Sequence, residues 1–207
     1  MGDKPIIFSA PMVRALLDGS KTQTRLVLDN KRAVMRDRSD ALDCVRVHIG
    51  DRLWVREAFV TGFVIADETG RREGDRRVWF RATDAGLTWF DPDTETTLDN
   101  PPWEPSTHMP RWASRLTLTV TDVHVQRLQE ISAADSLAEG VQCHTCKAMG
   151  QSACNRRGCF ASIDAFRAIW GHINGPGAWA ENPWVAAYTF TVHRCNIDQM
   201  PGVADGR

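Results

Sequence analysis

A lysine, a threonine and a glutamate stand where their side chains could support acid–base and nucleophilic chemistry. Lys21 and Thr24 are three residues apart in the stretch LLDGSKTQTR, which follows an amphipathic run. A lysine that is desolvated in a pocket loses part of its proton affinity and can act as a base. It can then activate a neighbouring threonine hydroxyl, while Glu139 gives or takes the second proton. The alternative is a solvated basic turn without chemistry.

Four of the six cysteines fall in one short window with the spacing C-x2-C-x7-C-x4-C. A C-x2-C pair supplies two thiolates from one turn, and a second nearby pair can complete a tetrahedron around zinc. Four protein ligands would close the metal shell, so the pattern predicts a structural Zn²⁺ site within an insertion at 141–160. Disulfides or four unligated thiols are the alternatives. The predicted ligands are Cys143, Cys146, Cys154 and Cys159.

The bulk composition indicates a globular protein. The chain has 207 residues, of which 43% are hydrophobic and 25% charged, enough for one well-buried domain. The formal net charge of -1 means that any nucleic-acid role would need a local basic surface. The longest apolar stretch falls short of the roughly 20 residues that span a bilayer. The first residues do not match a signal peptide, so we expect no membrane partner and a cytoplasmic location.

The elements that must position these side chains follow from hydrophobic periodicity. Alternating or β-branched runs predict strands at 4–9, 24–28, 52–59, 76–82, 114–128 and 184–195, with 76–82 as the partner of 52–59. Helical spacing and capping signals predict helices at 10–20, 131–141 and 162–174. Segments 29–43 and 83–110 are predicted to be irregular. These patterns predict an α+β domain at 1–195, built on a small, partly closed β-barrel, with a flexible tail at 196–207.

Several of these segments resemble the ASCH family, within the PUA-like superfold. The family pattern begins with a glycine, then a lysine two residues on and a polar residue three beyond it, which are Gly19, Lys21 and Thr24 here. The chain also has the family's Gly-Asp before a strand at 50–51, a long strand, and ISAADSLAEGV before a final strand. The segment WEPSTHMPRWASRLTL is similar to the phage and prophage branch. The resemblance implies a PUA-like barrel with flanking helices.

One group of small ASCH proteins hydrolyses the amide of N4-acetylcytidine. The resemblance therefore implies an amidohydrolase for an N4-acylated cytosine base, nucleoside or nucleotide, with Lys21 as base, Thr24 as nucleophile and Glu139 as proton donor. Leu26 departs from the family, which often carries an arginine at this position. Further residues are candidates to orient the base or a phosphate, or to stack on the ring: Arg25, Trp54, Arg56, Glu57, Trp103, His108 and Arg111.

PUA-like barrels also read RNA or modified bases, so the alternative is an RNA- or DNA-binding module, with nuclease activity as a variant. Lys21 and Arg25 would then belong to a basic edge, whose phosphate contacts weaken steeply with added salt. The oligomeric state stays open at this stage.

Overall fold

The computed structural model describes residues 2–28, 35–65, 72–91, 96–141 and 160–200 of the chain. Within these ranges the backbone forms strands and helices, which confirms the predicted α+β class. The strands are β1 (Asp3–Ile7), β2 (Gln23–Val27), β3 (Arg52–Arg56), β4 (Phe59–Ile65), β5 (Arg72–Phe80), β6 (Trp89–Asp91), β7 (Thr96–Leu98), β8 (Thr117–Arg127) and β9 (Trp184–His193). The helices are α1 (Ala10–Leu17), α2 (Arg38–Leu42), α3 (Arg81–Asp84), α4 (Ala133–Ala138) and α5 (Phe160–Asn174).

The chain divides into two compact units. The first comprises Met1–Gly2, Ala15–Arg52 and Leu118–Val192, and the second comprises Asp3–Arg14, Leu53–Thr117 and His193–Arg207. The candidate residues Lys21, Thr24, Arg25 and Glu139 belong to the first unit. The other predicted substrate-binding residues belong to the second: Trp54, Arg56, Glu57, Trp103, His108 and Arg111.

Five strands form one sheet in the order β1-β3-β8-β9-β2, and β4-β5 and β6-β7 form two smaller sheets. Strands β3 and β8 each contribute residues to both units. Among the described residues no pairing joins β1 to β2, so the five-stranded sheet is open at these two strands. The partly closed barrel therefore stays a prediction.

Strand β9 is the best-buried strand of the first unit. Its residues from Val185 to Tyr188 are all at most 2% exposed, which fits the continuous apolar run in the sequence. It lies between β8 and β2 and pairs antiparallel with β2, with Gln23 opposite Thr189 and Val27 opposite Val185. This pairing places the beginning of β2, two residues after Lys21, beside the buried strand β9.

Helix α5 packs on the core of the first unit through a narrower stripe than its sequence predicted. Phe166 and Trp170 are buried with Leu128 and Val185, and Ile163 is partly buried against them. The predicted stripe also included Ile169 and Ile173, but these are 42% and 51% exposed. Positions 163, 166 and 170 follow the i, i+3, i+7 spacing of one helix face, whereas Ile169 lies about 100° from Trp170 around the helix. Ile173 is seven residues after Phe166 and therefore near that face, but it lies in the last turn of the helix and is exposed.

The second unit corrects the predicted strand pairing. β5 pairs with β4, with Phe80 opposite Phe59, and not with β3 as predicted. The run at 52–59 is two strands rather than one, because Glu57 and Ala58 interrupt it. Phe59 is 3% exposed and packs with Met109 and Ala113. The segment at 83–110, predicted to be irregular, contains the short antiparallel pair of strands β6 and β7 within this unit.

Two other predicted irregular segments contain ordered turns. Residues 38–42 form α2, which the side chain of Asp37 caps by accepting from the backbone N–H groups of Ser39 and Asp40. The predicted tail begins at Asn196, but Ile197–Gln199 form a 3-10 turn in which Ile197 is only 1% exposed. The Asn196 amide anchors this turn by donating to three backbone carbonyls, those of Arg111, Trp112 and Ser114. Within the described ranges, none of the helices is both long and apolar enough to span a membrane.

Candidate active site

The backbone brings Lys21 and Glu139 together at the edge of the sheet, just before β2 begins. These two residues form an isolated antiparallel β-bridge, although 118 positions separate them in sequence. The backbone N–H of Lys21 donates to the Ala15 carbonyl (2.9 Å), and the backbone N–H of Thr22 donates to the Ala138 carbonyl (2.8 Å). The end of α4 is therefore bonded directly to the segment that carries the lysine.

Helix α4 begins and ends as its sequence predicted. The Ser132 hydroxyl caps it by accepting from the Asp135 N–H, and Glu139 lies at its C-terminal end. Gly140 follows with a φ of +83°, a conformation that L side chains rarely adopt. A Cβ at Gly140 would lie 2.9 Å from the Ala15 Cβ and 3.0 Å from the Lys21 Cβ. A glycine is thus needed both for the turn and for the close approach of this chain segment to Lys21.

The Lys21 amine is fully buried and surrounded by oxygen acceptors. Its Nζ donates to Glu139 Oε2 (2.7 Å), to the Glu139 carbonyl (3.1 Å) and to the Gln23 carbonyl (2.8 Å). The side chains of Lys21 and Glu139 are 0% and 5% exposed. Burial lowers the pKa of the Lys21 amine, and the charge and hydrogen bond of Glu139 oppose that shift. The result is a desolvated amine with a carboxylate in direct contact.

Arg25 holds the other oxygen of the same carboxylate. Its Nη1 donates to Glu139 Oε1 (2.9 Å) and to Gln23 Oε1 (2.7 Å). Its Nη2 lies 3.4 Å from Asp135 Oδ2, and its Cζ lies 5.9 Å from the centre of the Phe166 ring. The Arg25 side chain is 0% exposed. Among the described residues, neither its Nε nor its Nη2 has a hydrogen-bond partner.

Thr24 lies on the other side of β2. Successive side chains of a strand alternate between faces. Gln23 Nε2 donates to Thr189 Oγ1, so Gln23 shares a face with its cross-strand partner, whereas Thr24 is opposite Tyr188. Thr24 is 3% exposed, and within the described part of the chain it stands outside the hydrogen bonds that join Lys21, Gln23, Arg25 and Glu139.

Sequence reasoning missed Gln23, Asp135 and Thr189 as members of this network. The period-2 alternation of β2 was the available signal for Gln23, which lies two residues from Arg25 on the same face. Asp135 was recognised only as part of the α4 cap, and it has that role too. Nothing local in the sequence pointed to Thr189, whose position depends on the register between β2 and β9.

Three predicted substrate-binding residues have local partners within the second unit. The Arg56 guanidinium lies over the Trp54 ring, 5.4 Å from its centre. Glu57 is 2% exposed and accepts two hydrogen bonds from Arg115, at 2.9 and 3.0 Å. Burial raises the pKa of the Glu57 carboxyl, while Arg115 opposes the shift. The Arg115 guanidinium also lies 3.9 Å from the centre of the Phe80 ring, which makes Glu57 part of a packed structural pair.

The remaining predicted residues of the second unit are more exposed. Trp103 is half-buried and donates from Nε1 to Asn100 (2.9 Å), and His108 is exposed. Arg111 forms ion pairs with Asp3 (2.6 Å) and Asp198 (2.7 Å). Through these two ion pairs, Arg111 connects β1, which carries Asp3, to the 3-10 turn that carries Asp198.

The predicted zinc site lies outside the described residues. All four candidate ligands fall between 142 and 159: Cys143, Cys146, Cys154 and Cys159. Among the residues that the structure does describe, no cluster of His, Cys, Asp or Glu is arranged to hold a metal ion. The zinc prediction therefore stays a prediction.

Comparisons with known proteins leave the family open. No protein-family model, no curated protein and no solved structure matches the chain. Membership of the ASCH family is therefore a proposal that depends on the sequence resemblance.

Proposed function

We propose that the chain is an amidohydrolase that removes the acyl group from the N4 position of a modified cytosine base, nucleoside or nucleotide. The observation that carries the proposal is the buried contact of 2.7 Å between Lys21 Nζ and Glu139 Oε2. General acid–base catalysis requires a base and an acid within hydrogen-bond reach of the reacting atoms and with suitably shifted proton affinities. The lowered pKa of Lys21 supports its role as the base.

The pair can supply both proton transfers of amide hydrolysis. Movement of a proton from Lys21 to Glu139 along their hydrogen bond leaves a neutral amine and a carboxylic acid. In the proposed reaction, the amine takes a proton from the nucleophile, whose oxygen attacks the acyl carbon. Glu139 gives its proton to the exocyclic nitrogen as the carbon–nitrogen bond breaks. The products are the free cytosine amine and the acid of the acyl group.

The nucleophile in this scheme is either the Thr24 hydroxyl or a water molecule that Thr24 orients. If Thr24 attacks, an acyl-threonine ester forms, and a water molecule then hydrolyses it with Lys21 as base. Thr24 lies on the opposite face of β2 from Gln23 and Arg25, so a water molecule is the simpler nucleophile. Thr24→Val separates the cases, because only direct attack makes the hydroxyl indispensable.

Burial of Lys21 and Arg25 favours the enzyme over the nucleic-acid-binding alternative. Both side chains are 0% exposed and engaged with Glu139. Phosphate contacts require cations that reach the surface. These two residues would have to leave their ion pairs before they could contact a phosphate, and this would forfeit a buried interaction.

The proposal includes the features that the resemblance implies for the rest of the chain. These are a PUA-like barrel, a structural zinc knuckle in the cysteine window, a relationship to the phage branch of the family and action in the cytoplasm. The proposed catalytic pair depends on none of them, since it lies wholly in the described part of the first unit.

The test is to incubate the folded protein with N4-acetylcytidine and to measure cytidine by liquid chromatography. Glu139→Gln should lower the rate by about 10²- to 10⁴-fold, the usual contribution of general acid–base catalysis. Arg36→Met is the control, because Arg36 is a cation with an 84% exposed side chain. Absence of cytidine with several N4-acylcytosines, together with RNA binding that weakens with salt, would reject the enzyme in favour of the module.

A further inference from the structure

Arg25 is held in one position by polar contacts to both α4 and the sheet. Its Nη1 donates to Glu139 Oε1 (2.9 Å) and to Gln23 Oε1 (2.7 Å), and its Nη2 lies 3.4 Å from Asp135 Oδ2. Gln23 is itself fixed, because its Nε2 donates to Thr189 Oγ1 (3.2 Å) on the neighbouring strand β9. The guanidinium therefore joins the proposed proton donor to the sheet through a continuous series of hydrogen bonds.

Burial limits what Arg25 can do in a reaction. Its side chain is 0% exposed, whereas that of Glu139 is 5% exposed. Arg25 therefore offers no surface that a substrate could contact, and it can influence a reaction only through the residues that it touches. The carboxylate that it touches belongs to the proposed proton donor.

The two oxygens of Glu139 have different partners. Oε1 accepts from Arg25 Nη1 at 2.9 Å, and Oε2 accepts from Lys21 Nζ at 2.7 Å. A guanidinium in a protein donates hydrogen bonds but neither accepts a proton nor releases one. A proton on Oε1 would set a donor against the Nη1–H donor, whereas a proton on Oε2 lies on the hydrogen bond to the amine. These contacts leave Oε2 as the oxygen that can share a proton with Lys21.

We propose that Arg25 is the positioning residue of the Lys21–Glu139 pair, which holds Glu139 by Oε1 so that the shared proton moves between Lys21 Nζ and Glu139 Oε2. This inference rests on the proposed function, in which Glu139 gives that proton to the leaving nitrogen. The Nζ–H bond breaks as the Oε2–H bond forms, and the Oε2–H bond breaks as the nitrogen gains its proton. Lys21 takes the proton of the nucleophile, so the pair ends with one shared proton, as it began.

The positive charge of Arg25 also affects how tightly the pair holds its proton. A cation beside a carboxylate and an amine disfavours a proton on either group. Burial is the main cause of the lowered pKa of Lys21, and the charge of Arg25 lowers this pKa further. Asp135 is the second carboxylate of α4 that faces Arg25, whereas α5 contributes the uncharged Phe166 ring and β9 the Thr189 hydroxyl that holds Gln23. Loss of the Arg25 charge should therefore make the pair keep its proton to higher pH.

The experiment measures kcat and KM for N4-acetylcytidine across the pH range in the wild-type protein and in two variants of Arg25. Arg25→Met removes the charge, so the pH at which the rate falls should rise by about 1–3 pH units, the usual effect of one charge in contact. Arg25→Lys keeps the charge but loses the planar fork, so this pH should stay near the wild-type value while kcat falls by up to about 100-fold. KM should not change in Arg25→Lys, because Arg25 does not touch the substrate.

Three further variants complete the test. Gln23→Met removes the hydrogen bond from Arg25 Nη1 to Gln23 Oε1 without changing a charge, and it should lower kcat in the same way as Arg25→Lys. It decides the matter if the Arg25 variants do not fold. Arg36→Met and Arg36→Lys are the matched controls, because the Arg36 side chain is 84% exposed, and both should keep the wild-type kcat and pH dependence.

The outcomes separate this inference from the proposed function. A wild-type pH dependence in Arg25→Met, an unchanged kcat in folded Gln23→Met, or a raised KM with unchanged kcat in Arg25→Lys would overturn the inference and leave the hydrolase intact. If the wild-type protein hydrolyses no N4-acylcytosine, the hydrolase is rejected, and titration of the Lys21 amine by NMR still tests the inference. A Lys21 amine that titrates at higher pH in Arg25→Met than in the wild-type protein would support it, and identical titrations would overturn it.

Discussion

Replacement of Lys21 by methionine tests whether the buried ion pair exists as the structure shows it. Methionine keeps most of the volume of the side chain but removes its charge and its three hydrogen bonds. The two carbonyls and Glu139 Oε2 then lose their donor in a region where Lys21 is 0% exposed. Removing one partner of a buried ion pair typically costs about 3–5 kcal/mol, because the other charge stays buried without compensation.

The expected loss for Lys21→Met lies near the lower end of that range. Arg25 still donates to Glu139 Oε1 at 2.9 Å, so the carboxylate keeps one charged partner. A loss of about 3 kcal/mol in a chain of this length corresponds to a fall in Tm of roughly 6–12 °C. The exposed control Arg36→Met, which loses an i,i+4 ion pair, should cost only about 0.3–0.5 kcal/mol.

Urea denaturation of the two single variants and the double variant measures the interaction itself. Glu139→Gln alone leaves the Lys21 ammonium without its counter-charge, and the double variant removes both charges. If the two residues are in contact, the loss in the double variant should be smaller than the sum of the single losses by about 1–3 kcal/mol. Additive effects, or a loss of unfolding free energy below about 1 kcal/mol for Lys21→Met, would show that the amine is solvated. Lys21 could then not act as the proposed base.

Three further predictions address the chemistry, the backbone and the metal. The proposed mechanism needs one proton shared by Lys21 and Glu139, so the hydrolysis rate should fall as the pH rises through the lowered pKa of Lys21 and leaves Glu139 no proton to donate; a rate that keeps rising above that pKa would contradict this. Stability should rise with pH between the lowered pKa and the usual lysine pKa, because the unfolded state binds more protons than the native state in that window. In urea denaturation, Gly140→Ala should lower the free energy of unfolding by about 2–5 kcal/mol, because backbone strain and overpacking add. Gly19 has a φ of +79° with nothing within 4 Å of an added Cβ, so Gly19→Ala should lower it only by the strain, about 1–2 kcal/mol. Equal losses in the two variants would contradict the close approach at Gly140. Elemental analysis should find about one zinc per chain, and a value near zero with free thiols would reject the knuckle.

Much of the secondary structure could be predicted because its signals are local. The long alternation at 114–128 became β8, and the capping signals Ser132 and Gly140 bound α4 as expected. The pairing of β5 was wrong because the run at 52–59 alternates without a visible break, whereas the strand that pairs with β5 begins only at Phe59, after Glu57 and Ala58. The tail was misjudged for a different reason. Its few apolar residues include Ile197, whose burial depends on the anchor at Asn196.

For the candidate site, the sequence by itself determined which residue types were available: a lysine after a glycine turn and a glutamate at the end of a capped helix. Only the tertiary structure decided that Lys21 and Glu139 touch, that Arg25 shares the carboxylate, and that Thr24 lies on the other face of its strand. Periodicity reports the direction of a side chain relative to its own element. Burial, and with it the cost of carrying a charge, depends on residues more than one hundred positions away. A lysine in a turn keeps the usual proton affinity of its amine until the chain folds over it and excludes water.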